Sequence, residues 1–118
     1  MGNTRHGVES KSLPDQESIE PEDGVYVTQL VAGENMNMQH FQFEAGATAM
    51  EHSHPNEQAV FITHGTFTVI LEGESYDFEA GDSYVIPGGI PHASENRTDK
   101  PVQGIDIFSP ARDGTPWD

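Results

Sequence analysis

No cysteine occurs in the 118 residues, which excludes disulfides, thiolate metal sites and cysteine nucleophiles. Basic residues are almost as scarce. Arg5, Lys11, Arg97, Lys100 and Arg112 stand against 20 acidic residues, for a formal net charge of -15. A surface of that sign repels nucleic-acid phosphates and anionic lipid heads, so neither nucleic acid nor membrane is expected as a partner. No apolar run approaches the roughly 20 residues of a membrane-spanning helix. The opening MGNTRHGVESKS holds no apolar segment, so no secretory leader is expected, and His6 stands where a myristoylation signal has Ser or Thr. The expected location is cytoplasmic. Helical periodicity is missing too, so helices are not expected to build the core.

What is present is a chain long enough for one domain and one core of ordinary size. The acids are spread along it rather than clustered, which reads as adaptation to concentrated salt, where self-repulsion is screened. Residues 1–23 are polar, with Pro14 and Pro21, and read as a flexible acidic arm or one that orders against a partner subunit. The domain proper is expected over 24–118. Val25 to Val31 is a β-rich run, followed by a Gly33-Glu34-Asn35 turn. Met36 to Phe43 alternates with period two, but its phase slips near His40, suggesting a bulge. Further strands are expected at Thr66–Leu71, Ser75–Phe78, Ser83–Ile86 and Val102–Phe108, with Glu72-Gly73-Glu74 as a tight hairpin. Eight or nine short strands with frequent turns indicate an all-β sandwich or barrel.

Two stretches carry the chemistry. GATAMEHSHPNEQAVFITHG, Gly46 to Gly65, places His52 and His54 two apart, where strand geometry aims both rings the same way. Gln58 follows Pro55, with Glu57 as its rival for a ligand position. GDSYVIPGGIPHASEN, Gly81 to Asn96, puts His92 after a Pro-Gly-Gly corner that can swing it inward. Three imidazoles and an amide oxygen suit one divalent transition metal, whether Ni, Zn, Fe, Mn or Co. All four ligands are neutral, so the ion's charge stays uncompensated and attracts anionic oxygen. The remaining histidines read differently. His6 belongs to the arm, His64 to a surface turn, and His40 either lines the cavity or packs at an interface.

A third cluster, Asp106-Ile107-Phe108-Ser109-Pro110-Ala111-Arg112, ends the last strand. Asp106 and Phe108 share a face. A core-facing Asp is costly unless it has a partner or a task, and a salt bridge to Arg112 is the plainest partner. Arg112 is also the basic residue best placed to hold a carboxylate through two parallel hydrogen bonds.

The first stretch resembles the first motif of the cupins, with Gly46, His52, His54 and Gly65 in place and Gln58 where most members have Glu. The second resembles the second motif at Gly81, Pro87, Gly89, His92 and Asn96. The resemblance spans about residues 40–110. It implies a single-domain jelly-roll β-barrel with His52, His54, Gln58 and His92 as metal ligands, and a homodimer. Together with the Asp-x-Phe-x-x-x-Arg pattern it points to the pectin-degradation cupins. These act on small anionic carbohydrates, converting cyclic 4,5-unsaturated monouronates to linear 4-deoxy-5-keto forms. Asp106, Phe108 and Arg112 then match active-site positions. Other expectations from the same scaffold are a cupin dioxygenase or a metal-dependent binding module without catalysis.

Overall fold

The computed structural model describes residues 7–112. A short 3-10 turn, Leu13–Asp15, precedes ten strands: β1 (Ser18–Glu22), β2 (Val25–Ala32), β3 (Asn37–Phe43), β4 (Thr48–His52), β5 (Glu57–His64), β6 (Thr66–Leu71), β7 (Glu74–Glu79), β8 (Ser83–Ile86), β9 (His92–Glu95) and β10 (Val102–Ser109). They form a six-stranded sheet, β1-β2-β3-β10-β5-β8, and a four-stranded sheet, β4-β9-β6-β7. Neighbouring strands run antiparallel. This is the jelly-roll arrangement. Among the described residues no helix is long and apolar enough to cross a membrane.

The apolar half of the interior comes from alternate residues of both sheets. Val25, Val27, Phe41, Phe43, Val60, Ile62 and Val102 meet Phe67 and Val69 from the opposite sheet. Phe43 and Phe67 pack edge to face with centroids 4.7 Å apart, and Phe41 lies 5.2 Å from Phe67. Such offset pairs avoid facing two electron-rich π surfaces. Gly104 makes room for this cluster. A Cβ there would come within 2.4 Å of the Phe41 ring and 2.8 Å of the Phe61 carbonyl oxygen. Gly104→Ala is therefore expected to cost about 1–3 kcal/mol through overpacking, read as a lower urea midpoint with an unchanged slope.

The hairpin expected at Glu72-Gly73 is present. Both residues have positive φ, 51° and 83°, the handedness that matches the twist of two strands joined by a tight turn. Two other expectations change. The phase slip near His40 is not a bulge, because β3 alternates without interruption: Asn37, Gln39, Phe41 and Phe43 are buried and the residues between them are not. Its register with β10 is continuous from Val102–Phe43 to Phe108–Asn37. Polar Asn37 and Gln39 face inward, so hydrophobicity misreports the phase. The irregularity lies in β2, between Gln29 and Ala32. His40 points to the other face of the sheet, half-buried, with a ring nitrogen 3.1 Å from Gln103 Oε1.

Within the stretch read as an arm, Ser18–Glu22 adds to the β2 edge, pairing Ser18 with Thr28 and Ile19 with Val27. None of its side chains is fully buried, so ladder hydrogen bonds hold it rather than the core. Composition registers burial, and for that reason it does not show this strand. His6 lies outside the described residues.

Candidate metal centre

The polar half of the interior begins where β3 changes from Phe41 to Gln39 and β10 from Gly104 to Asp106. His52 is the last residue of β4 and pairs with His92, the first of β9. His54 lies beyond β4 in the loop before β5. A Pro-Gly-Gly corner locks that loop in place: Gly89 N–H donates to the His54 carbonyl at 2.8 Å, and a Cβ on Gly88 would come within 2.2 Å of the Pro55 carbonyl oxygen. The two motifs thus meet through backbone. Asn96, 1 % exposed, donates its side-chain amide to the carbonyls of Phe43, Glu44 and Lys100, tying the far end of the second motif.

The rings of His52, His54 and His92 converge. Their centroids are 4.4 Å apart for His52–His92, 5.2 Å for His54–His92 and 5.9 Å for His52–His54. One nitrogen from each lies within 4.8 Å of the others. Each ring is held the same way, by Nδ1 facing a backbone carbonyl two residues away. Met50 O lies 3.0 Å from His52, Asn56 O 3.0 Å from His54 and Ile90 O 2.9 Å from His92. A carbonyl only accepts, so Nδ1 carries the hydrogen and Nε2 is left with its lone pair. His92 Nε2 is buried and has no hydrogen-bond partner. A buried lone pair facing two other imidazoles is costly unless a cation sits among them.

Gln58, on β5, makes the same point. Its Nε2 donates to Asp106 Oδ1 at 3.1 Å, which leaves its Oε1 facing His54 Nε2 at 3.0 Å. Both facing atoms carry lone pairs, so they repel each other unless they share an electrophile. Two neighbouring ligands about 2.0–2.1 Å from one ion stand at about that separation. The residues fit a divalent transition metal. Glu57, the rival ligand, is exposed and paired with Ser109 at the end of the ladder.

Burial sets the protonation. It pushes His92 down to about 4, assisted by the charges of His52, His54 and Arg112 and opposed by the bond to Ile90. His54 is lowered for the same first reason, with Arg112 next. Both rings are therefore neutral at pH 7, the form that binds metal. Asp106, 6 % exposed, is pushed up to about 6 by burial, against the opposing hydrogen bonds from Gln39 and Gln58 and the charge of Arg112.

These shifts have opposite consequences for the metal-free protein. Between pH 6.5 and 4 the unfolded chain protonates His92 before the folded one does, so acid removes stability. Between pH 6 and 3.8 the folded chain protonates Asp106 first, so acid adds it. Asp106→Asn removes the second effect alone. Its metal-free stability is expected to fall more steeply than the parent's between pH 6 and 4, by on the order of 2–3 kcal/mol over the window, in urea melts at each pH.

Three further residues were candidates from sequence. Asp106 lines the cavity; its partners are two amides, Gln39 Nε2 at 2.8 Å and Gln58 Nε2 at 3.1 Å, rather than the guanidinium of Arg112. Arg112 lies beside the site, its guanidinium carbon 5.5 Å from the Phe108 ring centre, and its backbone N–H donates to Asn37 Oδ1. Its charge reaches His54, His92 and Asp106. Phe108 does not line the cavity. It is 1 % exposed and packs edge to face on His54 at 5.4 Å, so it backs the metal ligand from behind.

The cavity has an empty volume of about 470 Å³ including its open mouth, and adds Gln39, Tyr84 and Ser94 to the polar lining. Sequence reasoning missed all three. Gln39 had a signal, two residues before Phe41 on an alternating strand; Tyr84 and Ser94 had none beyond strand membership. Burial, with the charge of Asp106, raises the Tyr84 phenol well above its usual range.

Comparison with known proteins agrees with this geometry. Residues 39–108 match the Cupin domain family. The chain is 29% identical over 91 residues to the pectin degradation protein KdgF of Dickeya dadantii, covering 76% of this chain and 82% of that one. The structure of KdgF from Halomonas sp. superposes with a TM-score of 0.77 at 27% identity, covering 85% of this chain and 91% of that one. An RmlC-like cupin from Shewanella frigidimarina gives 0.79 at 25%, covering 88% and 92%.

Proposed function

The chain belongs to the cupin family, and we propose that it is a metal-dependent enzyme of uronate breakdown, opening cyclic 4,5-unsaturated monouronates to linear 4-deoxy-5-keto uronates. One observation carries the reading: the rings of His52, His54 and His92, the Gln58 amide and a carboxyl raised to about 6 converge at one end of a cavity, within reach of the charge of Arg112. Similarity to pectin-degradation proteins supplies the substrate class.

His52, His54, His92 and Gln58 would hold a divalent ion, which supplies Lewis acidity for oxygen atoms of the substrate. Arg112 would bind the uronate carboxylate. Asp106 would take the proton of the anomeric hydroxyl as the bond from C1 to the ring oxygen breaks, leaving an aldehyde at C1 and an enol at C5. A proton delivered to C4 then turns the enol into the ketone, so the step is an isomerisation that needs no oxidant or second substrate. A carboxyl near 6 gives and takes protons with little bias at neutral pH. Phe108 would keep the His54 ring in place.

The test is NMR of freshly made 4,5-unsaturated galacturonate with the protein, with and without a chelator. Loss of the vinyl H4 signal faster than the spontaneous rate, and only with metal, is expected. No acceleration by the fully loaded protein sinks the proposal and leaves a binding module. Oxygen uptake with substrate points instead to a dioxygenase.

A further inference from the structure

The polar interior is wired in one direction. Gln29 Nε2 donates to Gln39 Oε1 at 2.9 Å, Gln39 Nε2 to Asp106 Oδ2 at 2.8 Å, and Gln58 Nε2 to Asp106 Oδ1 at 3.1 Å. The far end of the Gln58 amide, Oε1, faces His54 Nε2 at 3.0 Å. The four side chains come from β2, β3, β10 and β5, and the register places Gln29, Gln39 and Asp106 opposite one another on successive strands.

An amide group has two ends of nearly equal size and opposite polarity. Turned one way, Gln58 offers an oxygen to the histidine cluster; turned the other, it offers two N–H groups, which repel a cation. Packing does not distinguish the two. A carboxylate does, because it only accepts, so an amide that touches it must present N–H. Each oxygen of Asp106 takes one such N–H, and the oxygen of Gln39 is fixed at its other side by Gln29. A glutamate ligand would not require this, since both its ends are oxygens. Gln58 makes an orienting group necessary, and the structure has one.

We propose that Asp106 and Gln39 are positioning residues that fix the Gln58 amide with its oxygen toward His52, His54 and His92. The proposal rests on the reading of that cluster as a metal site and adds to it the device that makes a glutamine usable there. Asp106 then has two separable tasks, orienting a ligand and moving a proton. Gln39 has the first only.

The test reads Zn²⁺ affinity by competition with a chromophoric chelator, without substrate. Asp106→Leu removes the acceptor while filling its space, leaving the Gln39 and Gln58 N–H groups without it at a cost in stability. It is expected to weaken Zn²⁺ binding by about 10–100-fold, the range for groups that orient metal ligands. Gln39→Leu changes no charge and is expected to weaken binding by about 10-fold in the parent, the low end of that range. In a Gln58→Leu background it should change affinity less than about 2-fold, because nothing is left to orient. A merely structural role for Gln39 predicts the same loss in both backgrounds. Equal losses overturn the proposal, as does Asp106→Leu binding Zn²⁺ as tightly as the parent. A parent that binds no Zn²⁺ overturns the metal site itself. Should the variants fail to fold, NMR of the unaltered protein decides. The Gln58 side-chain N–H₂ protons are expected to exchange slowly with Zn²⁺ bound; rapid exchange overturns the proposal.

Discussion

His92→Ala is expected to weaken metal binding by two orders of magnitude or more and to erase the rise in melting temperature on adding metal. Apparent binding energies of about 10–16 kcal/mol for four-ligand zinc sites divide to about 3 kcal/mol per ligand, a factor above 100. His92 suits that full loss. It is 3 % exposed, its Nδ1 is committed to Ile90 O, and its Nε2 meets no other partner. Thermal melts with and without excess Zn²⁺ check the result, since a ligand raises stability by RT ln(1 + [L]/Kd). His64→Ala is the control: that ring is exposed and bonded to Thr63 Oγ1, and its loss should leave the metal-dependent shift intact. A His92→Ala protein that still gains the parent's shift would remove His92 from the site.

Asp106→Asn is the second large effect, on turnover rather than on metal. Asparagine keeps one carbonyl oxygen, which can accept from Gln58, while its amide turns toward Gln39. Gln39 and half-buried Gln29 then reverse, at little cost, because the Gln29 end of the chain can find water. Metal binding is therefore expected to stay near the parent's where Asp106→Leu weakens it. Proton transfer is not, because an amide neither takes nor gives the proton. A fall of about 10²–10⁴ in kcat with metal saturating is the usual worth of a positioned acid–base group. The measurement is the initial rate of vinyl-signal loss at saturating Zn²⁺, with occupancy checked by metal analysis. Parent-like turnover would mean that Asp106 only positions.

How much of this was legible from the chain depends on the type of signal. His52, His54, Gln58 and His92 were legible because motif spacing constrains backbone path, and the path puts them together. Asp106 was legible as an anomaly, an acid on a core-facing strand. Its partners were not. The register that sets Asp106 opposite Gln39 is decided by strands 67 residues apart, and nothing local in either strand encodes it. The apparent slip at His40 shows the same limit. Hydrophobicity marks an inner face only where that face is apolar, and here the inner face turns polar at the site.

Sequence alone determined the all-β class, the family, the three histidines and the absence of thiol chemistry, since each follows from residue identity and spacing along one strand or turn. Tertiary structure alone decided that Phe108 stands behind His54 rather than in the cavity, and that Ser18–Glu22 completes a sheet edge. It also decided that two glutamines, not an arginine, hydrogen-bond the buried carboxyl. Those outcomes depend on which strands become neighbours and in what register. Both are properties of strands distant in sequence, such as β3 and β10, and not of the residues whose roles they fix.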